Sequence, residues 1–346
     1  MKIGIIGAGI AGLAAGKELS LAGNEVTIIE KNREAGGRLA TFAGGGNTLS
    51  KFDYGISYFT ADTPAFRGFV SELLEKELLK IWGDNIWQYD GNKLLQINPD
   101  SLGHPKYAAP EGLGGIGKYL SRWSDITTAQ PAGGLTYLGA NRGRKRAWMV
   151  NLTNFNTFEA DAVIVATPAP EAYGILLTAQ DEIETMKLIR EIDEINYDPA
   201  YVLMADYGDI RPPEWDAVLC NDPVIRFVTN ENSKRQDLPG TALVIQATGD
   251  FSRSHREEAP QVVSEKILRH LQTIAGEWSA APKWQHLHFW KFFRPRSVIN
   301  RPFMETAFDD APLAVVGDYF EGNQLDSAYS SGLKLARHWI EKFKDE

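Results

Sequence analysis

Gly7, Gly9 and Gly12 stand at G-x-G-x-x-G spacing, and an acid, Glu30, follows 18 positions after the last of them. Glycines so spaced suit a pyrophosphate. The first permits a tight turn, the second lets backbone N–H groups approach phosphate oxygens at a helix N-terminus, and the third admits close helix-to-strand packing. A carboxylate closing the next strand can accept from the hydroxyls of an adenosine ribose. The elements these residues need surround them. Lys2 to Ile6 is a β-branched run suited to a strand buried on both faces of a parallel sheet. Leu13 to Ala22 is good helix material stopped by Gly23-Asn24, and Glu25 to Glu30 reads as a second strand. The plain alternative is a flexible glycine turn with no ligand. A Walker phosphate loop is excluded, because Ala11 stands where a glycine is needed and Glu18 follows Lys17 where Ser or Thr would hold magnesium. The order strand, glycine turn, helix, strand, acid indicates a dinucleotide and leaves NAD and FAD open.

The chain of 346 residues has room for two lobes or one large α/β unit. Its formal charge of −9 opposes nucleic acid and anionic lipid as partners. A single cysteine, Cys220, makes no intrachain disulfide or thiolate metal cage and suits a reducing compartment, so a cytoplasmic protein is expected. The apolar opening is not read as a secretory signal, given its glycines and the Lys17-Glu18 pair, and no run of apolar residues is long enough to span a bilayer.

Further along, Pro64 to Lys80 has helical spacing of Phe66, Phe69, Val70, Leu73 and Leu74, and Pro110 to Ile116 opens a helix reaching Trp123. Thr136 to Leu138 and Ala147 to Leu152 read as strands around a turn, Arg142 to Arg146, whose charges suit either a solvated hairpin tip or an anion site. Phe158 to Pro168 places Asp161 before a buried strand, and Asp181 to Glu194 reads as an acidic helix. Pro199 to Tyr207, Val224 to Thr229, Thr241 to Ala247 and Lys283 to Phe293 read as strands of a second, antiparallel lobe. The chain then returns with Leu313 to Phe320 and a helix from about Ser327 to Phe343.

Several of these segments resemble one superfamily. Gly36-Gly37-Arg38-Leu39-Ala40-Thr41 is similar to the GG-R-x-x-T run of flavin amine oxidases, although Arg38 also suits an exposed loop cation. Asp53 to Thr60 resembles the D-x-G-x-x-Y-x-T stretch of renalases, and Pro223 to Arg235 resembles their P-x-I-R-F-V-x-x-x-N-x-K-R stretch. The resemblance covers nearly the full length, thinning between residues 76 and 106. It implies an α/β fold: a Rossmann-like FAD-binding domain of the GR2, p-hydroxybenzoate hydroxylase-like type, from residues 1–60, 107–170 and 308–346. A second α+β substrate domain on an antiparallel sheet takes residues 61–106 and 171–307. It implies FAD held by Gly7, Gly9, Ala11, Gly12, Glu30, Lys31, Gly37, Arg38, Tyr58, Phe59, Thr60, Gly317, Asp318, Gln324, Leu325 and Ser327. A helix N-terminus after Asp318 would stabilise negative charge at the flavin pyrimidine edge by roughly 0.3–2 kcal/mol.

The activity implied is oxidation of the 2- and 6-dihydro isomers of NAD(P) to NAD(P)+, with hydride to flavin N5 and O2 reduced to H2O2. No second nucleotide fingerprint, G-x-S-x-G elbow or H-E-x-x-H motif is present, and hydride transfer from a dihydropyridine needs neither nucleophile nor base. Period-two alternation puts Trp284, His286, His288 and Trp290 on one strand face and Leu287 and Phe289 on the other. Trp290 is then positioned to stack on a nicotinamide, with His288 beside it, unless this face is simply an amphipathic exterior. A His286/His288 metal pair lacks further ligands, so no metal is expected. Asn232 suits a carboxamide partner, and Gln246 stands where some renalases have histidine; both types also serve as satisfied turn or strand groups. An amine oxidase on the same fold is the rival; it would use a lysine, and Lys291 has parity opposite to Trp290. A flavin-bearing sensor without turnover and a general NAD(P)H-dependent flavin oxidoreductase are the other readings.

Overall fold

The computed structural model describes residues 1–45, 50–139, 146–179, 183–235, 240–308 and 310–344. The basic run from Arg142 to Lys145 and the start of the acidic helix at Asp181 lie outside the described residues. The chain forms two units, one of Met1–Gly37, Ile116–Tyr197 and Pro295–Glu346, the other of Arg38–Gly115 and Asp198–Arg294.

In the first unit a six-stranded sheet runs Met304–Glu305, Leu313–Val315, Ala162–Val165, Lys2–Ile6, Glu25–Ile29, Asp125–Thr127. All joins are parallel except that of the short edge strand Met304–Glu305. Ala162–Val165 is buried along its whole length, as the unbroken apolar run requires of a strand covered on both faces. Asp161 breaks the run ahead of it, accepting from Lys2 N–H at 2.7 Å. The strand Lys2–Ile6 pairs on one side with Glu25–Ile29 and on the other with Ala162–Val165, so the direction of winding changes there. The helix Ile10–Leu21 is buried from Ile10 to Gly16, and the helix Leu325–Lys342 packs on it. A Cβ on Gly332 would stand 2.0 Å from the Ala11 carbonyl oxygen, so the two ends of the chain meet backbone to backbone. A three-stranded sheet, Ala132–Tyr137, Trp148–Leu152 and Thr157–Ala160, packs Trp148 against the helices Ala169–Leu177 and Ile183–Ile192.

The second unit is built on seven strands in the order Trp284–Pro295, Tyr197–Asp206, Ala242–Ala247, Ile225–Asn230, Ala217–Cys220, Ile86–Tyr89, Leu94–Gln96. The four expected strands are adjacent. The sheet is mixed, however, because Ala217–Cys220 and Ile86–Tyr89 pair in parallel. One face, with Leu203, Leu243, Ile245 and Val228, packs on Val263, Ile267 and Leu271 of the helix Pro260–Ala275. Each such fully buried Leu or Ile contributes roughly 1.5–3 kcal/mol. The other face, with Val202, Met204, Ala242 and Val244, packs on Phe52 of the hairpin Thr41–Ala43/Lys51–Asp53. The helix expected over Pro64 to Lys80 ends at Glu75, because Glu77 turns to φ 56° and Leu78 N–H closes back on the Leu73 carbonyl.

Candidate functional site

The glycine loop of the first unit is fixed by backbone sterics. Gly7 has φ 105°, and a Cβ there would lie 2.7 Å from the Ala166 carbonyl oxygen; a Cβ on Gly12 would lie 2.1 Å from that of Gly7. Gly9 is different: a Cβ there meets nothing within 4 Å. Gly9 is also the N-cap of the helix Ile10–Leu21, and no side chain caps it. The first-turn N–H groups therefore have no cap from the N-cap side chain, and the positive end of the helix lies behind them. Gly36 N–H donates to the Ala8 carbonyl at 2.8 Å, and Gly37, at φ 57°, lies against Gly9.

Glu30, 4% exposed, accepts from Ala8 N–H through one oxygen and from the Asn32 backbone and side-chain N–H groups through the other, all at 2.8 Å. A carboxylate has about four acceptor positions, so capacity for a hydroxyl is left. Lys31 instead turns to Glu171 in a partly exposed ion pair. Thr167, beside Gly7, has a buried hydroxyl with no partner among the described residues. An open glycine, uncapped helix amides, a buried carboxylate and an orphaned hydroxyl together fit a dinucleotide.

The second part of the first unit's site follows the strand Leu313–Val315. Gly317 N–H donates to Ser331 Oγ at 3.2 Å, and buried Asp318 accepts from the Tyr197 hydroxyl at 2.8 Å. Burial and the neighbouring Asp318 charge push the Tyr319 hydroxyl well above the usual phenol range. The helix begins at Leu325; Ser327 Oγ accepts from Gln324 N–H at 2.9 Å and donates to the Gln324 carbonyl at 2.8 Å, squaring its first turn.

The remaining candidates belong to the second unit. Arg38 donates to the Phe293 carbonyl at 2.7 Å, and its own carbonyl accepts from Ile56 N–H at 2.9 Å where Gly55 admits it. Tyr58 is half-buried between Trp82 and Phe227; burial raises its hydroxyl pKa, and Arg226 opposes that. Phe59 is a core residue against Phe66 and Tyr107, and Thr60 is half-buried next to it.

A buried ion cluster in the same unit joins residues far apart in the chain. Asp53, Glu231, Lys234 and Arg235 are all within 8% of full burial. Lys234 meets Glu231 at 2.7 Å and Asp53 at 3.2 Å, and Arg235 meets Glu231 at 3.2 Å and Asp53 at 3.3 Å. Burial alone would raise the Asp53 carboxyl; Lys234, Arg235, the Thr41 hydroxyl and Leu113 N–H outweigh it and hold it below the ordinary value. The cluster fastens the segment beginning at Asp53 to the turn Glu231–Lys234.

That segment carries Tyr54 to the aromatic sheet face, where the parity expected of the strand holds. Leu287 and Phe289 pack on the helix side, while Trp284 and Trp290 pack on the other. Trp290 lies 5.5 Å from Tyr54 at 22° and donates to its carbonyl at 2.8 Å. His288 sits edge-on to both rings, at 4.6 Å from Trp290 and 4.9 Å from Tyr54. Burial, then His286, lowers the His288 pKa, which keeps it neutral at neutral pH. Lys291 is exposed, its ammonium 4.9 Å from the Phe292 ring. Asn232 Oδ1 accepts from Ala242 N–H at 2.8 Å, tying its turn to the sheet. Gln246 shares the face of Val244 and Ala242.

Comparison with known proteins agrees with this geometry. Residues 5–73 match the family described as NAD(P)-binding Rossmann-like domain, and residues 68–339 match flavin containing amine oxidoreductase. A 4,4'-diapophytoene desaturase of Staphylococcus haemolyticus is 47% identical over 55 residues, 16% of this chain and 10% of that protein. An L-amino-acid oxidase of Siganus canaliculatus is 35% identical over 114 residues, 31% of this chain and 21% of that protein. Each match thus spans well under two thirds of the relative. Among solved structures, cyclohexylamine oxidase from Brevibacterium oxydans has a TM-score of 0.73 at 14% identity over 99% of both chains. Putrescine oxidase bound to putrescine has a TM-score of 0.71 at 12% identity, again over 99% of both. At such identities the likeness establishes the fold.

Proposed function

This chain belongs to the flavin-containing amine oxidoreductase family, and on that premise we propose that it is a renalase-type oxidase converting 2- and 6-dihydro-NAD(P) to NAD(P)+ with O2 as acceptor. The cofactor is FAD, whose chemistry when bound would be two-electron oxidation of the substrate with reoxidation by O2 to H2O2. In this reading Gly9 and the N–H groups behind it would hold the pyrophosphate, Glu30 a ribose and Asp318 the ribitol, and the positive end of the helix from Leu325 would favour negative charge on the flavin.

The observation that carries the substrate assignment is the composition of the aromatic face. Trp290 and Tyr54 offer flat apolar surface, His288 is neutral, and the nearest lysine in the strand, Lys291, is turned out to solvent. A dihydropyridine asks for stacking and alignment at about 3–3.5 Å, and for no proton transfer at carbon. Trp290 stacks on the ring, His288 borders it, and Asn232 and Gln246 are the carboxamide-facing polar groups. The first unit is proposed as the FAD-binding part and the second as the part presenting substrate.

Amine oxidation is the second reading, favoured by the family itself and by the Tyr54–Trp290 pair, two near-parallel rings of the kind that suits a neutral amine. Aerobic product analysis separates the two. Supplied with 6-dihydro-NAD, the holoenzyme should form NAD+ and H2O2 in equal amounts; aldehyde and ammonia from a panel of primary amines, with no NAD+ from the isomer, would replace the proposal by its rival.

A further inference from the structure

We infer that Gln246 recognises a primary carboxamide on the ligand by a reciprocal pair of hydrogen bonds, and so selects nicotinamide over nicotinic acid. This rests on the dihydronicotinamide reading above and adds to it the group that distinguishes one pyridine nucleotide from another. The Gln246 amide nitrogen is buried and has no hydrogen-bond partner among the described residues. Its neighbours in register are apolar. In register across the sheet it is flanked by Val202 on one side and Phe227 on the other, and Val244 precedes it on the same face. These three are 1%, 8% and 2% exposed. Ile245 and Ala247, its chain neighbours, face the helix side.

An amide donor is strongly hydrated in water, and leaving it unpaired among apolar groups is unfavourable, so a native orphan of this kind calls for a partner that arrives with the ligand. A primary carboxamide carries one acceptor and two donors, as the glutamine does, and the two groups pair whichever way the glutamine amide is turned. A carboxylate offers acceptors alone and sets a lone pair against the glutamine oxygen. An ammonium offers donors alone and leaves the buried nitrogen unpaired. The strand of Gln246 is separated from that of Trp290 by one strand, which puts their axes about 10 Å apart. A pyridine ring on Trp290, its carboxamide substituent and the glutamine side chain together span that gap.

Titration of the oxidised holoenzyme with nicotinamide mononucleotide and with nicotinic acid mononucleotide, read by perturbation of the flavin absorbance, tests this without requiring turnover. Wild type should bind the carboxamide about tenfold or more tighter. Gln246→Met, close in volume, should bring the ratio near one. Gln246→Glu, which still accepts from an amide and repels a carboxylate, should keep the preference. FAD content and the spectrum without nucleotide should match wild type in both variants. Absence of preference in wild type, whether by equal binding or by none, or a preference that survives Gln246→Met, overturns the inference. So does a ligand-free spectrum altered in Gln246→Met, because the glutamine would then serve the flavin carbonyl. Reduction by 6-dihydro-NAD is scored separately: its failure beside a Gln246-dependent ratio would sink the oxidase reading and leave this one standing.

Discussion

At the scale of single residues, the glycines of the first loop separate into those held by packing and one, Gly9, that the packing around it does not require. Gly12→Ala drives a Cβ to 2.1 Å from the Gly7 carbonyl and must displace backbone, so the protein should lose about 1–3 kcal/mol with or without FAD. Gly9→Ala meets nothing of the protein. Its unfolding temperature without FAD should match wild type while FAD uptake weakens, and calorimetry with and without the cofactor checks both. On the aromatic face, Trp290→Phe keeps a ring and loses the bond to the Tyr54 carbonyl, whereas Trp290→Ala also loses the stacking surface. Flavin reduction by substrate should slow by tenfold or more in the alanine variant at unchanged FAD content; equal losses in both would make the residue structural. The pH dependence at this face follows from His288. Its pKa lies below the ordinary 6.5, so the unfolded chain protonates first as pH falls; the stability from the neutral imidazole is present above 6.5 and declines as pH drops from there through the folded value.

At the scale of elements, the buried cluster of Asp53, Glu231, Lys234 and Arg235 balances two negative against two positive charges and joins a hairpin to a turn. Lys234→Met leaves two buried carboxylates to one guanidinium and should cost about 3–5 kcal/mol, while replacing all four by apolar residues of similar volume should recover much of that. Urea midpoints measure both. Asp53 is held below its ordinary 3.8, so its contribution is complete above that pH and is lost as pH falls through the lower folded value. The spacing of Glu231, Lys234 and Arg235 in one helical turn is visible in the sequence, but Asp53 is far off in the chain and no local pattern pairs it with them. Strands read well where apolar runs are long, as in Ala162–Val165 and Ala242–Ala247, because burial itself writes the pattern. Ile86–Tyr89, Leu94–Gln96 and Ala217–Cys220 are short, and they extend as strands only because a neighbour supplies the hydrogen bonds. Parity at residues 284–290 was legible because alternating core and face positions leave a period of two. The partner of that face, Tyr54, was not.

For the molecule as a whole, the first helix and the last helix belong to one unit, and their junction is the contact of Gly332 with Ala11. Gly332→Leu should part the helices Ile10–Leu21 and Leu325–Lys342, lower the unfolding temperature and release FAD; retained stability and retained FAD would contradict the role given to that junction. The glycine turn and the last strand and helix were readable in the sequence because backbone sterics and apolar periodicity constrain residue type directly. Substrate identity was not so constrained, since a flat aromatic face accepts more than one planar or neutral ligand. The most direct test is anaerobic rapid mixing of the yellow holoenzyme with 6-dihydro-NAD and, separately, with ordinary 4-dihydro-NADH and primary amines. Fast bleaching of the flavin by the 6-dihydro isomer, with slow or no bleaching by the others, is the predicted result; bleaching by an amine or by 4-dihydro-NADH at least as fast as by the isomer would contradict it.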